Sequence, residues 1–292
     1  VSGDMDIIVV CHAEFGFVRK KRLVFDEHTK QGVSEGVANL VRIAERYRAK
    51  PTFVVMPEVV EDFPKTIQYE IGLHVHPKGK SLYLSEYPFE EQSRMIREGK
   101  ETIRETFGRE PRVVVGGRWA FNNDTAKALV ENGFTHDCSA MPRSRGNVHW
   151  RNLARITLPY HPSENDYQKK GSLPLLIVPV SQGLLGASAN PEEARVFGLP
   201  WLKACFEEYY SKKAPVFHIA LHSLAMTDPF YLNIMDSLLG YVAQHPNIHF
   251  KFASEITETL QERVEPNPFA YIRALNGAFL KGAARKLMGM KP

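Results

Sequence analysis

Eight short runs of β-forming residues, separated by stretches of helical periodicity, constrain this 292-residue chain more than any other feature. They fall at residues 6–11 (DIIVVC), 51–56 (PTFVVM), 68–76 (QYEIGLHVH), 112–116 (RVVVG), 134–138, 175–180 (LLIVPV), 215–221 (PVFHIAL) and 248–252. Runs this apolar suit strands covered on both faces. Residues 33–49 place Val37, Leu40, Val41 and Ile43 or Ala44 near helical spacing. Residues 88–108 run from Pro88 at a helix start, through Met95, Ile96, Ile103 and Phe107, to Gly108 as a stop. Further helices are expected at 123–132, 201–210, 231–243 and 254–263. Repeated β-then-α units imply a parallel sheet, and about eight of them over this length predict closure into a (β/α) barrel spanning residues 1–265.

Other classes are excluded by composition. No window approaches eighteen consecutive apolar residues, so no transmembrane helix is expected. Lys+Arg 37 against Asp+Glu 33 leaves +4, too small a surplus to suggest a nucleic-acid partner. Cys11, Cys138 and Cys205 form no CxxC and cannot all pair, which fits buried thiols in a reducing compartment. Residues 1–6 lack a basic stretch leading into an apolar core, so no signal peptide and a cytoplasmic location are expected, although the chain begins at Val1 rather than Met. No glycine-rich phosphate loop is present, which argues against ATP or NAD dependence.

In such barrels the chemistry sits where strands end. The first run ends in His12-Ala13-Glu14, with His12 and Glu14 on one face by alternation. The third ends in His74-Val75-His76, again two imidazoles on one face. The seventh ends in Leu221-His222-Ser223, with His218 on the same face ~13 Å deeper. The fourth leads into Gly116-Gly117-Arg118-Trp119, and the fifth ends near Asp137. Two imidazoles and a carboxylate converging on one mouth make a three-ligand site with an open position, the usual form of a catalytic zinc centre. That donor set suits Zn, Fe, Co or Ni better than Mg or Ca. His28, His149, His161, His245 and His249 are read as ordinary surface or core residues, and His136 as structural.

Three segments, EIGLHVHP (70–77), GGRWAFNNDTAKALVENGFTHDCS (116–139) and FHIALHS (217–223), resemble in order and spacing the motifs of the NodB-homology polysaccharide deacetylases, carbohydrate esterase family 4. The resemblance covers roughly residues 6–263. It implies a distorted (β/α)7–8 barrel, a divalent metal, commonly zinc, and hydrolysis of N-acetyl or O-acetyl groups on sugars. In the family, an Asp general base precedes an acidic metal ligand at the end of the first strand; here His12 stands for the Asp and Glu14 fits the ligand. The second motif's two histidine ligands are often four residues apart in the family; Lys78 occupies that position here, so His76 is the second ligand. The resemblance gives Arg118 the role of orienting the base, although the motif's usual proline and tyrosine are absent. It makes His222 the general acid.

These readings combine into Glu14, His74 and His76 as ligands, His12 as base and His222 as acid, with Asp137 or Arg118 orienting them. An alternative makes His12 a third imidazole ligand and Glu14 the base; the sequence does not choose. Trp119, Phe121, His149, Trp150, Tyr160 and Tyr167 lie in or beside a long irregular stretch, 139–174, and offer aromatic faces for a sugar ring. Residues 266–292 carry Arg273, Lys281, Arg285, Lys286 and Lys291, no acid, and Ile272, Leu275, Phe279, Ala283 and Leu287 at spacings of three and four. That pattern predicts a basic amphipathic tail, able to lie on an anionic membrane or equally to pack on the barrel or against a second copy. The function expected is therefore removal of an acyl group from an amino sugar in surface polysaccharide or lipopolysaccharide O-antigen synthesis. The alternative is a degenerate member that binds carbohydrate without turnover.

Overall fold

The fold is organised around one strand, β1 (Met5–Ala13), because three others pair with it and all run parallel to it. Along one edge, β9 (Val216–His222) matches Asp6–His12 residue for residue. The other edge is shared: β4 (Pro51–Val55) takes the C-terminal half and β10 (Ile248–Phe250) takes Met5–Ile7. The computed structural model describes residues 4–19, 22–79, 81–143 and 156–274, together with Leu280 and Ala284. From β4 the sheet continues in parallel through β5 (Glu70–Val75), β6 (Val113–Gly116), β7 (His136–Asp137) and β8 (Leu176–Ile177). No ladder joins β8 to β9 among the described residues. Instead Ser181 N–H donates to the His218 carbonyl at 3.1 Å, and His218 N–H to Ser181 Oγ at 2.9 Å. The sheet is thus a curled, partly closed barrel, the distorted (β/α) barrel expected.

Both faces of the curl are buried, which explains the apolar runs. Ile8, Val10, Val54, Val113, Val115, Cys138, Leu176 and Val178 fill the interior. Their neighbours by alternation, such as Ile7, Val9, Phe53, Leu73 and Val114, form the larger core beneath the helices. The principal helices are α2 (Val37–Tyr47), α3 (Phe89–Phe107), α4 (Asn123–Glu131), α6 (Leu199–Ser211) and α7 (Pro229–Val242), with short α1 (Glu27–Gln31) and α5 (Ala194–Phe197). Local signals set their ends: Asn122 and Thr125 make a reciprocal capping box at α4, and Gly108 closes α3 at φ 63°. A hairpin of β2 (Phe17–Arg19) and β3 (Arg22–Val24), not foreseen from the sequence, follows Glu14.

The helix expected at 254–263 does not form. After one turn at Ala253–Glu255 the chain runs irregularly, because its backbone is satisfied elsewhere. Thr157 N–H donates to Glu262 O (2.9 Å), Thr259 N–H to Pro159 O (3.4 Å), and Val264 N–H to Thr157 Oγ1 (2.8 Å). Tertiary partners thus outweigh a weak helical pattern.

Residues 266–274 also pack on the barrel. Tyr271, in a short 3-10 helix at Pro268–Ala274, is 1% exposed and donates its hydroxyl to Glu208 of α6. Glu208, itself fully buried, is paired with Arg143 at 3.2 Å and accepts from Asn267 N–H at 3.1 Å. The start of the tail is therefore part of the main core; apart from Leu280 and Ala284, the remainder lies outside the described residues. We expect Tyr271→Ala to cost about 3–5 kcal/mol in urea unfolding, and Tyr271→Phe only about 1–2, since the first leaves a cavity and the second removes one hydrogen bond.

Candidate active site

At the C-terminal mouth of the barrel the turn after β1 delivers Glu14 into a ring of imidazoles. Its Oε2 lies 2.7 Å from His74 Nε2 and 3.2 Å from His76 Nε2, and its Oε1 lies 3.3 Å from His222 Nε2. Parallel pairing places them: His74 is next to last in β5 on the interior face, His76 follows two residues later, and His222 ends β9 opposite His12. The donor atoms of Glu14, His74 and His76 all lie within 4.8 Å of one another.

One detail bears on what this trio holds. His74 Nδ1 is 2.9 Å from the Val115 carbonyl, an acceptor only, so that nitrogen carries a hydrogen. Its other nitrogen faces the Glu14 carboxylate, also an acceptor. That contact is favourable only with a second proton on the ring or with a cation between the two groups. His76 points its Nε2 at the same oxygen, and its buried Nδ1 has no hydrogen-bond partner among the described residues. Burial opposes charge on Glu14, but the hydrogen bonds from His74 and His76 and the nearby His222 outweigh it and hold the carboxyl well below its usual range. A carboxylate and two imidazoles, one anchored by a backbone carbonyl, fit a divalent transition metal.

His12 and His222 flank this trio in opposite states. His12 is buried, its Nε2 has no partner among the described residues, and its ring centre lies 4.9 Å from His74, 5.1 Å from His222 and 5.1 Å from Trp119. Burial, then the neighbouring histidines, pushes its pKa well below the usual value and keeps it neutral. For His222 burial disfavours the cation, but the attraction and hydrogen bonds of Glu192, with Glu14 beyond, push it up to about 10. Glu192 reaches His222 Nδ1 at 3.0 Å from the turn Pro191–Glu193, where Asn190 caps its backbone N–H. The sequence reading missed Glu192. It follows the long irregular stretch, and no spacing relates it to His222.

Two expected members do not join the cluster. Asp137 pairs in register with Val114, so alternation turns it to the helix-facing side, away from His12. There it is buried and accepts from Ser139 N–H at 3.1 Å and Ser139 Oγ at 2.6 Å. Burial, partly offset by those bonds, pushes its pKa up to about 7. Arg118 is exposed at the rim, its guanidinium over the Tyr83 ring at 5.8 Å, and it reaches the cluster only as a positive charge disfavouring the His76 cation. Its turn is distinctive: Arg118 and Trp119 both take left-handed backbone, at φ 55° and 61°, and a Cβ on Gly117 would lie 2.4 Å from the His76 ring. The loop thus serves as a backbone wall behind His76. The expected aromatic platform is also revised. Phe121, Tyr160 and Tyr167 are buried in the core, with Phe121 against Tyr167 at 5.2 Å, whereas Trp119 borders His12. His149 and Trp150 lie outside the described residues.

No family model matches this sequence, and no curated protein matches it. Among solved structures, a Mycobacterium smegmatis protein provisionally named a polysaccharide deacetylase superposes with a TM-score of 0.65 at 16% identity, covering 87% of this chain and 89% of its own. The fold is that of the polysaccharide deacetylases. A Pseudomonas aeruginosa PAO1 protein likewise provisionally named a polysaccharide deacetylase gives 0.58 at 16% identity, over 87% and 90%. The allantoinase Puue gives 0.64 at 17% identity, over 87% and 89%. The deacetylase fold is therefore shared with an enzyme of another name, and chemistry has to be argued from the side chains.

Two outcomes follow. The folded chain retains the Asp137 proton up to about pH 7, whereas the unfolded chain loses it near the ordinary value of 3.8. Its contribution is complete below pH 4 and lost as pH rises through 7, so Asp137→Asn should reduce the stability lost between pH 5 and 8 by about 2–3 kcal/mol, read from urea midpoints. Gly117→Ala should displace His76 and lower zinc affinity by about 10–100-fold in a chelator competition, with far-UV circular dichroism unchanged.

Proposed function

We propose that this protein is a metal-dependent hydrolase that removes an acyl group, foremost N-acetyl, from an amino sugar. The observation that carries the reading is the Glu14 carboxylate facing His74 and His76, with both nitrogens of His74 set against acceptors. Glu14, His74 and His76 would hold the metal, with zinc the leading candidate for this donor set. When bound, such an ion lowers the pKa of a coordinated water to about 7 and polarises the carbonyl.

The rest is the work of the chain. His12, neutral and with Nε2 unpartnered among the described residues, is fitted to accept the proton of the attacking water. Water oxygen bonds to the acyl carbon and the carbon–nitrogen bond breaks. His222, kept protonated by Glu192, gives its proton to the departing nitrogen, so that an amine and a carboxylic acid are released. Support for this assignment over the exchange of His12 and Glu14 comes from the donor set, in which His12 is not a member of the close trio. A sugar substrate is favoured by the motif order and by a cleft of about 580 Å³ beside Glu14 and His222, within the ~300–1,000 Å³ range of small-molecule sites. No helix among the described residues is long and apolar enough to cross a membrane. We place the reaction in surface-polysaccharide or O-antigen synthesis at the cytoplasmic face, on the strength of the basic residues of 266–292 and their apolar spacing.

The test is metal content and acetate release together. We expect about one zinc or related ion per chain, lost in His74→Ala/His76→Ala. Acetate release from N-acetylated sugars should stop on chelation, return with Zn or Co, and fall at least about 100-fold in His222→Ala and His12→Ala. Carbohydrate binding without any release would instead establish a non-catalytic binder.

A further inference from the structure

We propose that the cleft beside His222 is the subsite for the leaving group, a neutral, hydroxyl-rich ring, and that Tyr231 is the residue that selects it. The inference rests on the hydrolase reading above, because that reading fixes direction. The proton donor must face the departing nitrogen, so the amine half of the substrate lies on the side of the trio where His222 meets open space. That space is the cleft of about 580 Å³. Glu14, Glu192 and His222 line it together with His28, Asp228 and Tyr231. Among the described residues, no aromatic side chain of the 139–174 stretch lines it.

Tyr231 is held there by a chain of contacts from α7 outward. Asp228 caps the helix, one carboxylate oxygen accepting from Phe230 N–H at 2.8 Å. Its other oxygen accepts from Arg195 at 2.6 Å. Arg195 Nε donates to the Tyr231 hydroxyl at 2.8 Å, and the guanidinium lies over the Tyr231 and Phe230 rings at 4.9 and 5.1 Å. The arginine is therefore used to fix a phenol. Having received that hydrogen bond, the phenol oxygen retains its own hydrogen to give to a ligand hydroxyl. An aromatic ring with a fixed hydroxyl, beside carboxylates that accept, suits the apolar face and hydroxyl edge of a sugar. Glu192 is paired with His222 and Asp228 with Arg195, so the charges of the wall are matched from within, and a neutral ring is recognised by hydrogen bonds and by its apolar face. Tyr231 is a specificity residue of the cleft; Arg195 and Asp228 are positioning residues acting through it.

The two halves of the product separate this role from a general one. Isothermal titration of the zinc-supplemented protein is made with glucosamine, with the disaccharide of N-acetylglucosamine and with acetate. Tyr231→Ala and Arg195→Ala should weaken both amino-sugar ligands about tenfold, with KM rising and kcat little changed, and leave acetate affinity as in the wild type. Tyr231→Phe should lie between. Unchanged amino-sugar affinity in Tyr231→Ala, or an equal loss for acetate, overturns the proposal. Arg195 is exposed, so its variant tests the same chain of contacts without a core change. Acetate release that ignores Tyr231 refutes the subsite alone; Tyr231-dependent sugar binding without acetate release refutes the hydrolase reading alone.

Discussion

A single carboxylate, Glu14, meets three imidazoles at the mouth of the barrel, and the arrangement of the site depends on that meeting. Four hydrogen-bonding groups cannot be gathered in a buried place without compensation, because each sheds water to get there. Here compensation is mutual: the imidazoles supply positive character to the carboxylate, and it holds their rings in place. The arrangement is also asymmetric. His74 is anchored by Val115, His222 by Glu192, and His12 by packing against its neighbours. One imidazole is left neutral and another cationic about 5 Å apart, which is the division of labour that acid–base hydrolysis requires.

The sheet makes the meeting possible. β1 carries His12 and leads into Glu14, and its neighbours on either side bring β9 with His222 and, through β4, β5 with His74. Parallel strands end at the same side, so polar residues distant in sequence gather there without special loops. What loops add is enclosure: the left-handed turn at Arg118 and Trp119 walls His76, and the turn before α5 brings Glu192. Backbone strain at the first of these marks it as part of the site although the Arg118 side chain points elsewhere.

Much of this could be read before any coordinates. Alternation put His12 with Glu14 and His74 with His76, and each pair lies on the face foreseen. It failed for Asp137, where a strand of only two residues gave too short a pattern to show which face was inward. For Phe121, Tyr160 and Tyr167 the ambiguity is of another kind. Their ring chemistry suits a sugar or a core equally, and burial alone decides. The segment 254–263 was misread because its hydrogen-bond partners, at 157–159, lie a hundred residues away.

The sequence by itself determined the parallel α/β architecture and the short list of histidines that gather with Glu14 at the barrel mouth, because both follow from local periodicity and the order of strands. Tertiary structure alone decided that Glu192 holds His222, that Tyr231 faces the cleft, that Gly117 leaves room for His76 and that Tyr271 ties residues 266–274 to the barrel. Each of those is a contact between side chains or backbone far apart along the chain. Such contacts depend on how layers pack, and packing geometry has no periodic signature in the residues that make it.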